Sequence, residues 1–203
     1  MFTTALGLHE HIRQCHHYCP DCRRVFSNEN NLRNHQKSSA HVPRTIHCPG
    51  RGCNKVFTSG AALILHMESG TCPGNIARRQ VDEYLRRHDR RGAITKPERM
   101  IEYDTEVKIW ATERSWNGRA YECFLCHREF RALDDLNRHF ASPVHEEKKY
   151  HCPRAYSGCG KEFQLLSSLC QHVENGSCGM RRFNNHFQRH IEDLTNNFKR
   201  IAL

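Results

Sequence analysis

Sixteen side chains set the terms of this sequence: ten cysteines and six histidines that recur in groups of four at repeating intervals. Cys19 and Cys22 are followed by His35 and His41, and Cys123 and Cys126 by His139 and His145, with no change in spacing. Cys48, Cys53, His66 and Cys72 form a second kind of group, and Cys152, Cys159, His172 and Cys178 form its counterpart. Thiolate sulfur and imidazole nitrogen are the donors that tetrahedral zinc takes in structural sites, so each group offers a full ligand set. All four sets are closed, with no position left over for a reactive water, so the reading is four structural Zn2+ ions and no enzyme. No deaminase-like Glu beside a Cys pair and no other catalytic constellation is found.

Twelve Cys in a chain of 203 residues also raise the disulfide alternative. The opening stretch is His-rich and lacks an apolar run behind a basic start, so it does not read as a secretory signal and a reducing compartment is expected. No apolar run approaches the length of a membrane span, which points to a soluble protein with no membrane partner. With closed metal sites and no catalytic constellation, no small-molecule substrate is expected. Cys15 and Cys170 are left outside the sets, Cys170 as a small buried residue of a helix.

The elements that position these ligands follow from the residues between them. Phe26, Leu32 and His35 keep one phase that returns as Phe57, Leu63 and His66, then Phe130, Leu136 and His139, then Phe163, Leu169 and His172. A Cys hairpin, a Phe, and a helix carrying Leu and His make a unit too small to bury a sufficient core. Metal supplies the missing free energy, on the order of 10 kcal/mol or more. The five-residue gap before each last ligand holds Ser38-Ser39, Gly70, Ser142-Pro143 or Gly176, so each helix should end there.

The expected fold is therefore small zinc-stabilised ββα fingers, an α+β class that depends on metal. Four complete fingers stand in two tandem pairs, each pair followed by an amphipathic helix. The expected divisions are a CCHH finger at 18–42, a CCHC finger at 46–73, a helix at 74–91 and a linker at 92–120. A CCHH finger at 121–146, a CCHC finger at 150–179 and an amphipathic C-terminal helix at 180–203 complete the second copy. Val81, Tyr84, Leu85 and His88 fall on one face of the first helix, and Phe183, Phe187, Ile191, Leu194, Phe198 and Ile201 on one face of the second. Residues 1–17 read either as a finger helix lacking its hairpin or as an ordinary N-terminal helix.

On these motifs the chain resembles the CCHH zinc-finger family. Its first and third fingers are similar to the long-gap JAZ and matrin-like branch, and the two-pair layout resembles multi-finger proteins of fungi. The resemblance implies nucleic acid, DNA or structured RNA, as partner, in a regulatory role and in the nucleus, with the cytoplasm as the alternative. A net charge of +9 suits a polyanion, although ten thiolates on four divalent ions lower it by about two.

By that resemblance, base-reading positions fall on Asn28, Asn31 and Asn34 in the first finger and on Ala132, Asp135 and Arg138 in the third. The matching sets of the CCHC fingers, Ser59, Ala62 and Leu65, and Leu165, Ser168 and Gln171, are apolar enough to read as packing faces. Phosphate contacts are assigned to Arg23, Arg24, Arg33, Lys37, Arg128, Arg131, Arg138, Lys148 and Lys149. Each CCHC finger is expected to dock on its trailing helix while the CCHH finger faces the partner. The competing function is a protein-interaction scaffold that uses the helices.

Overall fold

The structure is a computed structural model that describes residues 15–100 and 110–176, together with Gly7, Glu10, His11, Cys178, Met180, Glu192, Asp193 and Asn196. The N-terminal finger helix and most of the C-terminal amphipathic helix expected from sequence lie outside the described residues. The chain divides into two compact units, Met1–Cys48 with Asn54–Leu63, and Pro49–Cys53 with Ile64–Leu203, the second finger contributing to both.

Among the described residues four two-stranded antiparallel hairpins recur, each followed by a helix. The first pairs β1 (His17–Cys19) with β2 (Arg24–Phe26) and leads to α1 (Glu29–Gln36). The second pairs β3 (Ile46–His47) with β4 (Val56–Phe57) before α2 (Gly60–Glu68), which is followed by α3 (Arg78–His88). The third pairs β5 (Tyr121–Glu122) with β6 (Glu129–Phe130) before α4 (Leu133–Ala141). The fourth pairs β7 (Tyr150–His151) with β8 (Glu162–Phe163) before α5 (Leu166–Glu174). In every hairpin the Phe lies opposite the residue two before the first Cys: His17, Ile46, Tyr121 or Tyr150.

The helices end where the gaps predict. Gly70 and Gly176 take left-handed φ of +68° and +61°, a conformation open to glycine that stops α2 and α5. After α4, Ser142 leads into a short 3-10 turn at Pro143–His145, which carries the last ligand.

Within the second unit the fourth finger is part of a larger packed body. Asp82 of α3 is buried and accepts hydrogen bonds from Lys149 Nζ and Tyr150 Oη. Arg78 on the same helix pairs with Glu146 at 2.9 Å. The polar partners of α3 thus come from the junction of the third and fourth fingers. Residues just after α3 extend the fourth hairpin: His151 N donates to Ile94 O and Lys96 N to Lys149 O, each at 2.8 Å, around an antiparallel Thr95–Tyr150 bridge. Asp89 shapes this turn by accepting from the backbone N–H groups of Ala93, Ile94 and Thr95 and from the Thr95 hydroxyl. Glu68, at the end of α2, accepts from Leu166 N at 2.8 Å and Ser167 N at 3.1 Å, capping the first turn of α5. Burial raises the Glu68 carboxyl above its ordinary pKa, against the pull of those two donors.

The buried faces of α2 and α5 differ from the expectation. Leu65 is 55% exposed, and Ser59, Ala62, Leu165, Ser168 and Gln171 all keep solvent contact. The residues that pack are Ile64, Met67 and Glu68 on α2 and Leu166, Ser167, Cys170 and Val173 on α5, one position further round each helix. The reason is geometric. His66 and His172 fix the side that turns to the metal, and the second apolar stripe lies beside that side, leaving the helix-reading positions outward.

Candidate metal centres

The four ligand sets assemble as the spacing requires. Cys19, Cys22, His35 and His41 come together, as do Cys48, Cys53, His66 and Cys72, then Cys123, Cys126, His139 and His145, then Cys152, Cys159, His172 and Cys178. Within each set the ligand atoms lie within 4.8 Å of one another. Cys19 Sγ and Cys22 Sγ stand 3.3 and 3.2 Å from His41 Nε2, which is 2.9 Å from His35 Nε2. The third finger repeats this, with Cys123 Sγ 3.2 Å from His145 Nε2 and the two Nε2 atoms again 2.9 Å apart. In the CCHC fingers Cys53 lies 3.4 Å from His66 and Cys159 3.4 Å from His172, while Cys152 and Cys178 are 3.6 Å apart.

Metal–sulfur bonds of about 2.3 Å and metal–nitrogen bonds of about 2.0 Å imply tetrahedron edges of roughly 3.3–3.8 Å. The observed edges are close to this and slightly compact, and the donor set is that of zinc. Zinc is the cofactor of these fingers.

Local chemistry supports the same assignment. Burial pushes the Cys152 thiol up to about 12 and raises that of Cys22, so neither would ionise readily without a cation beside it. Burial also lowers His35, His139 and His172, favouring the neutral imidazole that coordinates. Two second ring nitrogens have outer partners: His41 Nδ1 faces the Asp21 carboxylate, and His66 Nδ1 faces Thr71 Oγ1, each at 3.5 Å.

The fold positions the donors by means only partly visible in sequence. Arg23 and His127, directly after the second Cys of each CxxC, take φ of +52° and +58°, which turns the knuckle back into the hairpin. Three serines placed three residues after a ligand His donate their hydroxyl to that residue's carbonyl: Ser38 to His35 O, Ser69 to His66 O and Ser142 to His139 O. The recurrence of Ser at this offset was the available signal. Cys170 is fully buried on α5 and lies outside the tetrad.

The residues expected to contact nucleic acid divide by what they already do. Asn28 is the N-cap of α1 and accepts from Asn31 N at 2.8 Å, so its carbonyl oxygen is engaged. Asn31 donates to Ser27 Oγ, and Asn34 is exposed on α1. Arg33 pairs with Glu29, and Arg138 with Asp135. Arg23, Lys37 and Arg131 are exposed, and Arg24 and Arg128 each lie 5.8 Å from the ring of Phe26 or Phe130. Lys149 is the correction: its side chain is 6% exposed and bound to Asp82, so it serves packing and not a phosphate.

Known proteins carry similar segments. Residues 16–42 match the family described as zinc-finger double-stranded RNA-binding, and residues 120–147 match the C2H2-type zinc finger. Over 74 residues the chain is 38% identical to transcription factor IIIA of Schizosaccharomyces pombe, a span of 34% of this chain and 20% of that protein. The chain thus covers about a fifth of that relative's length. With two fingers matched and four ligand sets assembled, the chain is a multi-finger protein of the CCHH zinc-finger family.

Proposed function

We propose that the chain is a nuclear, non-catalytic binding protein that holds duplex nucleic acid through its first and third fingers, with double-stranded RNA the favoured ligand. The sixteen Cys and His side chains serve as zinc ligands in this reading, and the ions order the fingers without taking part in chemistry. One observation carries the reading: α1 buries no residue, so Asn31, Asn34, Arg33 and the neighbouring cations all face solvent. Several base-reading groups are already engaged within their own helix, Asn28 as a cap and Asp135 with Arg138. Recognition through backbone and groove shape suits such a surface better than a base code, and that favours an A-form duplex. The description of the family matched by residues 16–42 supports the same choice, and the likeness to a transcription factor supports a regulatory role.

The test is a competition among duplex RNA, duplex DNA and single strands at fixed salt, using the zinc-loaded chain. Duplex RNA is expected to win, with a log–log salt slope of several units. A flat salt response would favour the second reading, a protein-binding scaffold. The exposed Phe124 (61%), Leu125 (48%) and Val144 (44%) on the third finger support that alternative.

A further inference from the structure

The turn that follows α3 and the knuckle of the fourth finger line an open cleft of about 550 Å³. Its walls include Arg91, Lys96, His151, Arg154 and Glu162, with Gly92 and Gly160 at the turns. Its volume lies within the roughly 300–1,000 Å³ usual for ligand sites, and three cations face one carboxylate. That carboxylate is already neutralised: Glu162 accepts from Lys96 and, at 3.1 Å, from Arg99, and the Lys96 bond holds it below the usual carboxylate range. Arg91 and Arg154 have no ion-pair partner among the described residues.

The cleft is built rather than incidental. Four hydrogen bonds to Asp89 fix the turn that presents Arg91. Gly92 has φ +64° and Gly160 φ +74°. A Cβ on Gly160 would collide with the Arg154 guanidinium, so glycine there lets that group lie across the knuckle. His151 Nδ1 is buried without a hydrogen-bond partner among the described residues. A ring nitrogen so placed costs free energy unless a ligand or water meets it.

We propose that this cleft is a phosphate subsite, formed by Arg91, Arg154 and His151, and that a backbone phosphate of bound nucleic acid occupies it. Two guanidiniums with no ion-pair partner among the described residues suit phosphate oxygens, which they can meet in bidentate fashion. The proposal rests on the nucleic-acid reading and extends the contact surface to a finger whose helix is largely committed to packing. Of the two adjacent arginines after α3, Arg90 turns its Nε to Arg87 O and Arg91 lines the cleft.

The decisive experiment compares the zinc-loaded wild type with Arg91→Gln/Arg154→Gln and with Arg91→Gln alone, titrated with duplex RNA from low to moderate salt. The double variant is expected to keep four zinc ions and its melting temperature, to bind about tenfold or more weakly at low salt, and to lose about two units of salt slope. The single variant should lose about one unit. Unchanged affinity and slope in the double variant, with Arg24→Gln/Arg33→Gln in the first finger weakening binding, would overturn the subsite and leave the proposed function standing. Failure of the wild type to bind any duplex overturns both. Titration with inorganic phosphate, read at the Arg154 and Gly160 amide signals, separates the sources. Saturable binding of free phosphate in the wild type, with RNA affinity untouched by the double substitution, would overturn the assignment to nucleic acid.

Discussion

The first and fourth fingers use the same hairpin, the same Phe and Leu phase, and a closed set of four donors, yet they relate to the rest of the chain in opposite ways. On α1 no residue is buried, whereas α5 buries Leu166, Ser167, Leu169, Cys170, His172 and Val173. The metal site therefore dictates the local fold and nothing beyond it. What a finger is used for is decided by a second helix stripe, next to the ligand His, that is polar and exposed in Glu29, Arg33 and Gln36 and apolar and buried in Leu166, Cys170 and Val173. A polar stripe leaves a surface for a partner. An apolar one, with Tyr150 and the turn at Ile94–Lys96 closing the other side, makes the finger a building block.

The largest effects should come from the ligands, and they should differ in reach. Cys19→Ser is expected to lower zinc content from four to three and to unfold residues 17–41 alone, since roughly 10 kcal/mol of ordering comes from the ion. Cys152→Ser should also cost one zinc. In addition it should collapse amide protection at Lys96 and His151, which bond between the turn after α3 and the start of the fourth hairpin, and at Leu166, which donates from α5 to Glu68. Hydrogen exchange with zinc quantitation reads both variants. A Cys152→Ser change confined to its own finger would erase the contrast.

Next in size is the buried pair. Lys149 and Asp82 have side chains 6% and 4% exposed, and Tyr150 donates to the same carboxylate. Asp82→Ala removes the buried carboxylate from the Lys149 ammonium, which keeps Glu146 at 3.2 Å, so a loss of about 3 kcal/mol is expected in chemical denaturation. The additional change Lys149→Met should recover much of it, because a buried pair is replaceable by apolar volume when both charges go together. Glu68→Ala follows at about 1–2 kcal/mol, with faster exchange at the Leu166 and Ser167 amides that it caps.

These long-range ties are the part that sequence did not disclose. The ligand sets were legible because a metal requires its donors at fixed offsets, and Gly70 and Gly176 were legible as helix stops because only their conformation fits. By contrast, Asp82 and Lys149 are 67 residues apart. Asp82 sits among Arg and Glu neighbours that read as a solvated helix face. The pairing of Ile94–Lys96 along β7 runs through backbone atoms, which leave no side-chain pattern. Arg23 and His127 in left-handed φ carry no glycine to announce them. The choice of Ser59 and Leu165 as packing positions failed for a related reason: helical period places a stripe to within one residue, and the ligand His alone settles which of two adjacent stripes turns inward.

The smallest predicted change in stability bears most directly on what the exposed finger is for. Glu29 and Arg33 form an i,i+4 pair on α1, both well exposed, and such pairs contribute only a few tenths of a kcal/mol. Glu29→Gln removes the pair and the acidic group from the first helical turn, so the melting temperature should fall by a degree or two at most. The same change releases Arg33 and removes a negative charge from the surface offered to phosphate. Affinity for duplex RNA at low salt should rise about twofold, with an advantage that shrinks as salt screens it. The corresponding exposed pair in the packed part of the chain, Glu83 with Arg87 on α3, gives the control. Glu83→Gln should cost a similar few tenths and leave RNA affinity unchanged. Equal gains in affinity from both substitutions would mean that net charge alone attracts the ligand, and that α1 has no special claim to it.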